Sequence, residues 1–361
     1  MNRVLLLLGL CLAPLAPGAY AEAESASITL GTYGHPQPFW EAGGHLGEHG
    51  VNAVFIHGGS IDEATVTRAR AEGCKVYAEF ATLNGKYGDY VAEHPDAHPV
   101  DDQGEPARPA TWFMGVCPTH AGFRAFRMAA LRELLSKHEL DGVWMDYHHW
   151  HAQFEDPYPV FIKTCFNQSC LNAFEAWAKL KVPDGTVPER SKWIFMNAAK
   201  QWEDWRVSVL VDWAREIHGI VKEMRPSALV GNYQVAWKDT DLAGVLRRCL
   251  GLDFEALSPY VDVFSPMIYH GRSGKTPDYV REYVDYFGAN HLADGKRLWP
   301  IVQAHDEPRI EPDEFEAVLR HGLSGKSTGV MMFTLGSVAK DAQKMDAMKR
   351  VYREYSKGEG L

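Results

Sequence analysis

The sequence predicts a single-domain (β/α)8 barrel. From residue 27 onward, eight short runs rich in β-branched and aromatic residues alternate with amphipathic stretches, the pattern of strand–helix units closing into a ring. No G-x-G-x-x-G follows the first run and no P-loop occurs, so a nucleotide-binding open sheet lacks its best signature. Two connections, 82–118 and 148–192, are far longer than the others. Both follow strands, on the face where such barrels carry their chemistry.

In chain order the predicted strands are 27–33, 51–57, 75–80, 142–147, 229–234, 261–269, 297–304 and 329–335. Helical periodicity falls at 62–72, 119–138 (before the fourth strand), 202–225, 277–287, 312–323 and 340–355. At 361 residues with 46% hydrophobic and 23% charged, the chain has the composition of a globular protein with a sizeable core. A formal charge of -10 without any Lys/Arg run argues against tracking nucleic acid or anchoring on anionic lipid. Neutral or cationic partners fit better, a partly deacetylated amino-sugar polymer among them.

The first twenty-one residues read as a secretory signal. Arg3 supplies the positive start, 4–12 the apolar run, and Ala19-Tyr20-Ala21 an A-x-A cleavage site. The expectation is a mature barrel domain over 22–361, secreted or periplasmic, without stable membrane insertion because the apolar run is too short to span. In an oxidising compartment Cys74, Cys117, Cys165, Cys170 and Cys249 are free to pair, and Cys165 with Cys170 is the natural local disulfide. A zinc site is poorly supported, since no second Cys or His pair sits at ligand spacing.

Catalytic groups of a barrel sit at the C-terminal ends of its strands. Those ends deliver Tyr33 and His35; His57; Glu79; Asp146, Tyr147, His148, His149 and His151; Asn232, Gln234, Trp237 and Asp239; Tyr269 and His270; Gln303, His305, Asp306 and Glu307; and Thr334. Any one of these is weak evidence, and their convergence has the weight. Asp146 stands out. A carboxylate ending the apolar strand Val143-Trp144-Met145 is costly to bury unless it is hydrogen bonded or serves a developing cation. Asp141, before Gly142, reads instead as part of the turn into that strand.

The segment Asp141-Gly142-Val143-Trp144-Met145-Asp146-Tyr147, preceded by Cys117-Pro118 and a helix, is followed by Cys165-Phe166-Asn167-Gln168-Ser169-Cys170-Leu171-Asn172-Ala173-Phe174-Glu175. Together they resemble the glycoside hydrolase barrels related to the α-amylase and α-fucosidase superfamilies. Pro300-Ile301-Val302-Gln303-Ala304 and Gly329-Val330-Met331-Met332-Phe333 are similar to the seventh and eighth strands of those barrels. The resemblance implies that Asp146 is the carboxylate facing the anomeric carbon. The chain departs from the amylase pattern at Gly231-Asn232-Tyr233-Gln234, where an acidic residue is expected, which leaves the proton donor open.

Glycoside cleavage needs a second carboxyl group to protonate the leaving oxygen. Glu307 and Glu79 lead, followed by Asp239 and Asp306. Aromatic rings that stack on sugar faces are expected from Tyr33, Trp112, Tyr147, Trp150, Trp237 and Tyr269, with Trp40 and Tyr233 also in reach. Polar contacts to hydroxyls are expected from His35, His57, His148, Asn232, Gln234, Asp239, Gln303 and His305. Trp144, Trp177 and Trp213 are assigned to core or helix packing, and Trp202 and Trp205 to a helix face.

The histidines raise a rival, a metal-dependent deacetylase or amidohydrolase. Such a barrel wants H-x-H after strand one and Asp after strand eight, and both are missing here; His149-Trp150-His151 follows the wrong strand. No metal and no cofactor are therefore expected. A carbohydrate-binding barrel without catalysis is the third reading.

Overall fold

In a computed structural model of the chain, residues 28–154 and 158–357 are described. The predicted signal segment 1–21 and Ser27 lie outside them. All eight predicted strands are present: β1 Thr29–Tyr33, β2 Ala53–His57, β3 Lys75–Ala81, β4 Gly142–Asp146, β5 Leu229–Val235, β6 Val263–Ile268, β7 in two pieces, Arg297–Leu298 and Ile301–Gln303, and β8 Gly329–Phe333. Each pairs in parallel with its sequence neighbours, and β8 pairs with β1 from Thr29↔Gly329 to Tyr33↔Phe333, so the sheet closes. The break in β7 falls at Trp299-Pro300, where proline has no N–H for a ladder bond.

The barrel interior is unusually aromatic. Phe55, Tyr77, Trp144 and Trp299 form one buried cluster, with Phe55 stacked on Tyr77 at 4.7 Å and Trp144 on Trp299 at 5.6 Å between ring centroids. The Trp144 indole N–H donates to Ser265 Oγ at 3.0 Å. Rings of that size fit only because the strands facing them carry glycine. A Cβ on Gly31 would lie 2.7 Å from the Phe55 ring.

Outside the barrel, Leu30, Val54, Ile56, Val76, Ala78, Val143 and Val230 meet the helices in the second, larger core. The six predicted helices appear as Glu63–Ala71, Ala121–Lys137, Ala199–Met224, Asp278–Asn290, Pro312–Gly322 and Ala342–Ser356. Asp62 and Asp341 cap two of them by accepting backbone N–H bonds. The last helix is fastened to the strands by Tyr352, whose hydroxyl donates to the Gly31 carbonyl at 2.7 Å, and by the buried Lys344, which donates to Ala304 O and Asp306 Oδ1.

Trp144, Trp213, Trp202 and Trp205 are buried as expected. Trp177 is corrected: it lies 45% exposed on the helix Gln168–Ala178. Among the described residues no helix is long and apolar enough to cross a membrane.

Candidate active site at the barrel mouth

The period-2 alternation of the strands decides which residues reach the mouth. Tyr77 and Trp144 face the barrel interior, so Glu79 and Asp146, each two residues further on, share that face. Tyr33, Asp146, Tyr147, Tyr233, Tyr269, Phe333 and the loop residues Trp112 and Arg272 line one cavity there. It adjoins three clefts. One, lined by Tyr33, His57, Glu79, Lys86, Arg127 and Tyr147, opens toward β2 and β3. Another contains Trp237, Met267, Tyr269 and Tyr279, and the third Arg272, His305, Glu307 and Phe333.

Asp146 ends β4, and its Oδ1 accepts the Tyr147 N–H at 2.7 Å. Tyr147 takes φ 52, a left-handed conformation that a non-glycine residue rarely adopts. Its carbonyl accepts from Asn84 N at 3.0 Å, which ties the turn after β4 to the loop after β3. This strained turn sets the tyrosine ring beside the carboxylate, with Trp112 edge-on to it at 6.2 Å. Trp112 is 41% exposed, lies stacked on Phe113, and has the Lys86 ammonium 5.0 Å from its ring centre.

Glu79 is only 4% exposed. The Tyr33 hydroxyl donates to its Oε2, and His57 Nε2 stands 4.0 Å from Oε1. Burial pushes the Glu79 carboxyl above its ordinary range, while the Tyr33 bond and the nearby His57 pull it back part of the way. Burial, and then the charge of Glu79 and of Asp146, hold the Tyr33 and Tyr233 phenols far above their ordinary range, so both remain neutral hydroxyls.

His305 and Tyr269 meet edge-on at 5.6 Å, and burial lowers His305 to about 4, with Arg272 adding to the effect. Glu307 is exposed on the rim, its N–H donating to His305 Nδ1 at 3.3 Å. The ion pair of Asp306 with Lys344 at 2.6 Å, against some burial, holds its carboxyl below the ordinary range. Trp237 lies beside Phe161 at 5.9 Å in the neighbouring cleft.

Several expected contact residues make other bonds in the structure. His148 and Trp150 are buried in the shell of the fold, with His148 Nε2 at 3.0 Å from Leu210 O and the Trp150 N–H donating to Arg206 O. Asn232 and Gln234 flank Tyr233 on the opposite face of β5, and Asn232 donates to Met145 O within the wall. Gln303 is fully buried and braces loops, accepting from Arg272 N and donating toward His305 O and Pro308 O. His35 holds Thr65 Oγ1 at 3.2 Å, Trp40 is covered by Arg68, and Asp239 is an exposed partner of His291. His151, a candidate ligand of the rival reading, instead knots the two long loops by bonding Asn84 Oδ1 and Arg108 O. Arg272 and Lys86 were not anticipated. Arg272 follows the Tyr269-His270 end of β6, which is the signal that marked its neighbours.

The expected disulfide is also corrected. Cys165 and Cys170 are free thiols, and Cys170 Sγ instead faces Cys117 Sγ at 3.5 Å.

No protein-family model and no curated protein matches the sequence. Solved structures do share the fold. The glycoside hydrolase domain of PgaB (BpsB) from Bordetella bronchiseptica is similar at TM-score 0.67 and 14% identity, covering 90% of this chain and 98% of that one. A β-galactosidase from the psychrophilic Marinomonas ef1 is similar at TM-score 0.65 and 12% identity, over 91% of this chain and 59% of that one. The catalytic domain of β-amylase from Paenibacillus polymyxa gives 0.58 at 12% identity, over 91% and 98%.

Proposed function

We propose that the chain is a glycoside hydrolase acting on an oligo- or polysaccharide outside the cytoplasm, with Asp146 facing the anomeric carbon and Glu79 supplying the proton. The observation that carries the reading is two carboxyl groups at the aromatic mouth in different surroundings, Asp146 half-buried at a strand end and Glu79 enclosed. Cleavage passes through an oxocarbenium-like state that needs one carboxylate and one carboxylic acid. Asp146 is half-buried at a strand end, and its Oδ1 accepts the Tyr147 N–H. Glu79 is enclosed, and burial raises its carboxyl above the ordinary range, the direction that suits a proton donor. Neutral Tyr33 and Tyr233 hydroxyls beside them suit the recognition of uncharged sugar hydroxyls. The exposed face of Trp112 suits a pyranose ring. Three clefts meeting at the mouth leave room for sugars on both sides of the scissile bond. The carbohydrate-active names of proteins with this fold agree with the reading.

The test is digestion of a polysaccharide panel by the mature chain and by Asp146→Asn. The variant should still bind while turnover falls roughly a thousandfold, because the lost interaction belongs to the transition state. Binding without turnover by the parent chain would make it a carbohydrate-binding barrel. For the acid, Glu79→Gln should recover much of its activity on a substrate with an activated leaving group, and Glu307→Gln should need no such rescue. The reverse result moves the proton donor to Glu307.

A further inference from the structure

Three buried thiols from distant parts of the chain converge behind the long loops. Cys117 closes the connection between β3 and the helix Ala121–Lys137, Cys165 precedes the helix Gln168–Ala178, and Cys170 lies in that helix's first turn. Their sulfurs all lie within 4.8 Å of one another. Thr119 Oγ1 stands 3.4 Å from Cys117 Sγ and 3.2 Å from Cys170 Sγ, and it donates to Ser169 Oγ at 3.1 Å.

These separations resemble the edges of a coordination tetrahedron. Zinc–sulfur bonds of about 2.3 Å and zinc–oxygen bonds of about 2.0 Å imply sulfur–sulfur edges of about 3.8 Å and sulfur–oxygen edges of about 3.5 Å. The Cys117–Cys170 distance of 3.5 Å and both Thr119 distances lie within a few tenths of an ångström of those lengths.

A second observation concerns charge. Arg206 is 4% exposed, and its terminal nitrogens donate only to the Arg248 and Cys249 carbonyls, each at 2.7 Å. Among the described residues it has no carboxylate at ion-pair distance, and its Nε has no hydrogen-bond partner. Its guanidinium carbon lies 4.5 Å from the Trp150 ring centre, and Cys249, Glu203, Cys170 and Cys165 are within its electrostatic reach. A buried guanidinium with no anion in direct contact is costly, and added negative charge nearby stabilises it. Three thiolates around a divalent ion leave one negative charge, which adds to that compensation; three neutral thiols add none.

We propose that Cys117, Cys165 and Cys170 bind one zinc ion, with the fourth corner beside Thr119, and that this ion fastens the loop after β3 to the loop after β4. Binding releases the three thiol protons to solvent and involves no oxidant. Exposed Ser169 borders the open corner and gives the ion a way in. Sequence spacing hides the site because Cys117 stands 48 residues before Cys165.

The experiment is metal analysis of the mature chain purified without chelator or reductant, followed by exchange with cobalt(II). The expected result is one zinc per chain and, after exchange, intense thiolate-to-cobalt charge-transfer absorption. Cys170→Ser should lose that band, whereas Cys74→Ser, altered at a thiol bonded to Val51 O elsewhere, should keep it. Should Cys170→Ser fail to fold, the stoichiometry and spectrum of the parent chain decide alone. A folded parent chain that holds no zinc and takes up no cobalt, or one in which mass spectrometry finds any two of the three cysteines joined, overturns the proposal.

Discussion

The Trp144 indole occupies the space that a side chain at residue 231 would need: a Cβ on Gly231 would stand 2.1 Å from the ring. Glycine in β5 is thus the complement of tryptophan in β4, and the floor under the barrel mouth depends on both. Gly231→Ala should cost on the order of 1–3 kcal/mol through overpacking. Combining it with Trp144→Phe should cost less than the two changes summed. Urea midpoints of the three variants check this, and strict additivity would show that the ring and the glycine do not compete for space.

The Tyr33 hydroxyl donates to Glu79 and stabilises its ionised form. Without that donor the carboxyl should hold its proton to still higher pH. In a pH profile of kcat/KM, Tyr33→Phe should therefore move the basic limb upward if Glu79 is the acid. A limb that stays in place, or moves down, separates Glu79 from the titration that controls the rate.

Burial depresses His148 to about 4 and His149 to about 3. The unfolded chain takes up these protons near 6.5, where the native one does not. The stability they contribute is complete above that pH and is lost as pH falls through 6.5 toward 4 and 3. Melting temperature should decline over this interval, and His149→Gln should flatten the decline. An equally steep acid limb in that variant would assign the lability to other groups.

Trp112 contributes an exposed ring with no charge of its own. Trp112→Ala should raise KM on the order of tenfold, the scale of one lost stacking contact, with little change in kcat. A fall in kcat at unchanged KM would place the ring in the transition state rather than in substrate binding.

The barrel was legible because a ring of buried parallel strands demands continuous apolar runs at regular intervals, and this chain has eight. Asp146 was legible for the complementary reason, an acid where that apolar run ends. The wall residues were less so. Asn232, Tyr233 and Gln234 look equally polar in sequence, yet alternation sends only the tyrosine inward, and a frame error of one residue exchanges substrate face for wall. His148 and Trp150 look like cleft residues in sequence, yet much of the long loop that carries them is folded down as packing. Arg272 belongs to a loop whose course no local pattern reveals.

Tyr147 gives the mouth a history as well as a shape. A left-handed tyrosine costs on the order of 1–3 kcal/mol, and glycine at that position would recover part of it. Directed evolution toward heat tolerance alone should therefore drift to Tyr147→Gly or Tyr147→Asn. The survivors would outlast the parent at high temperature while losing the ring beside Asp146, so that durability and turnover are in conflict at this one residue.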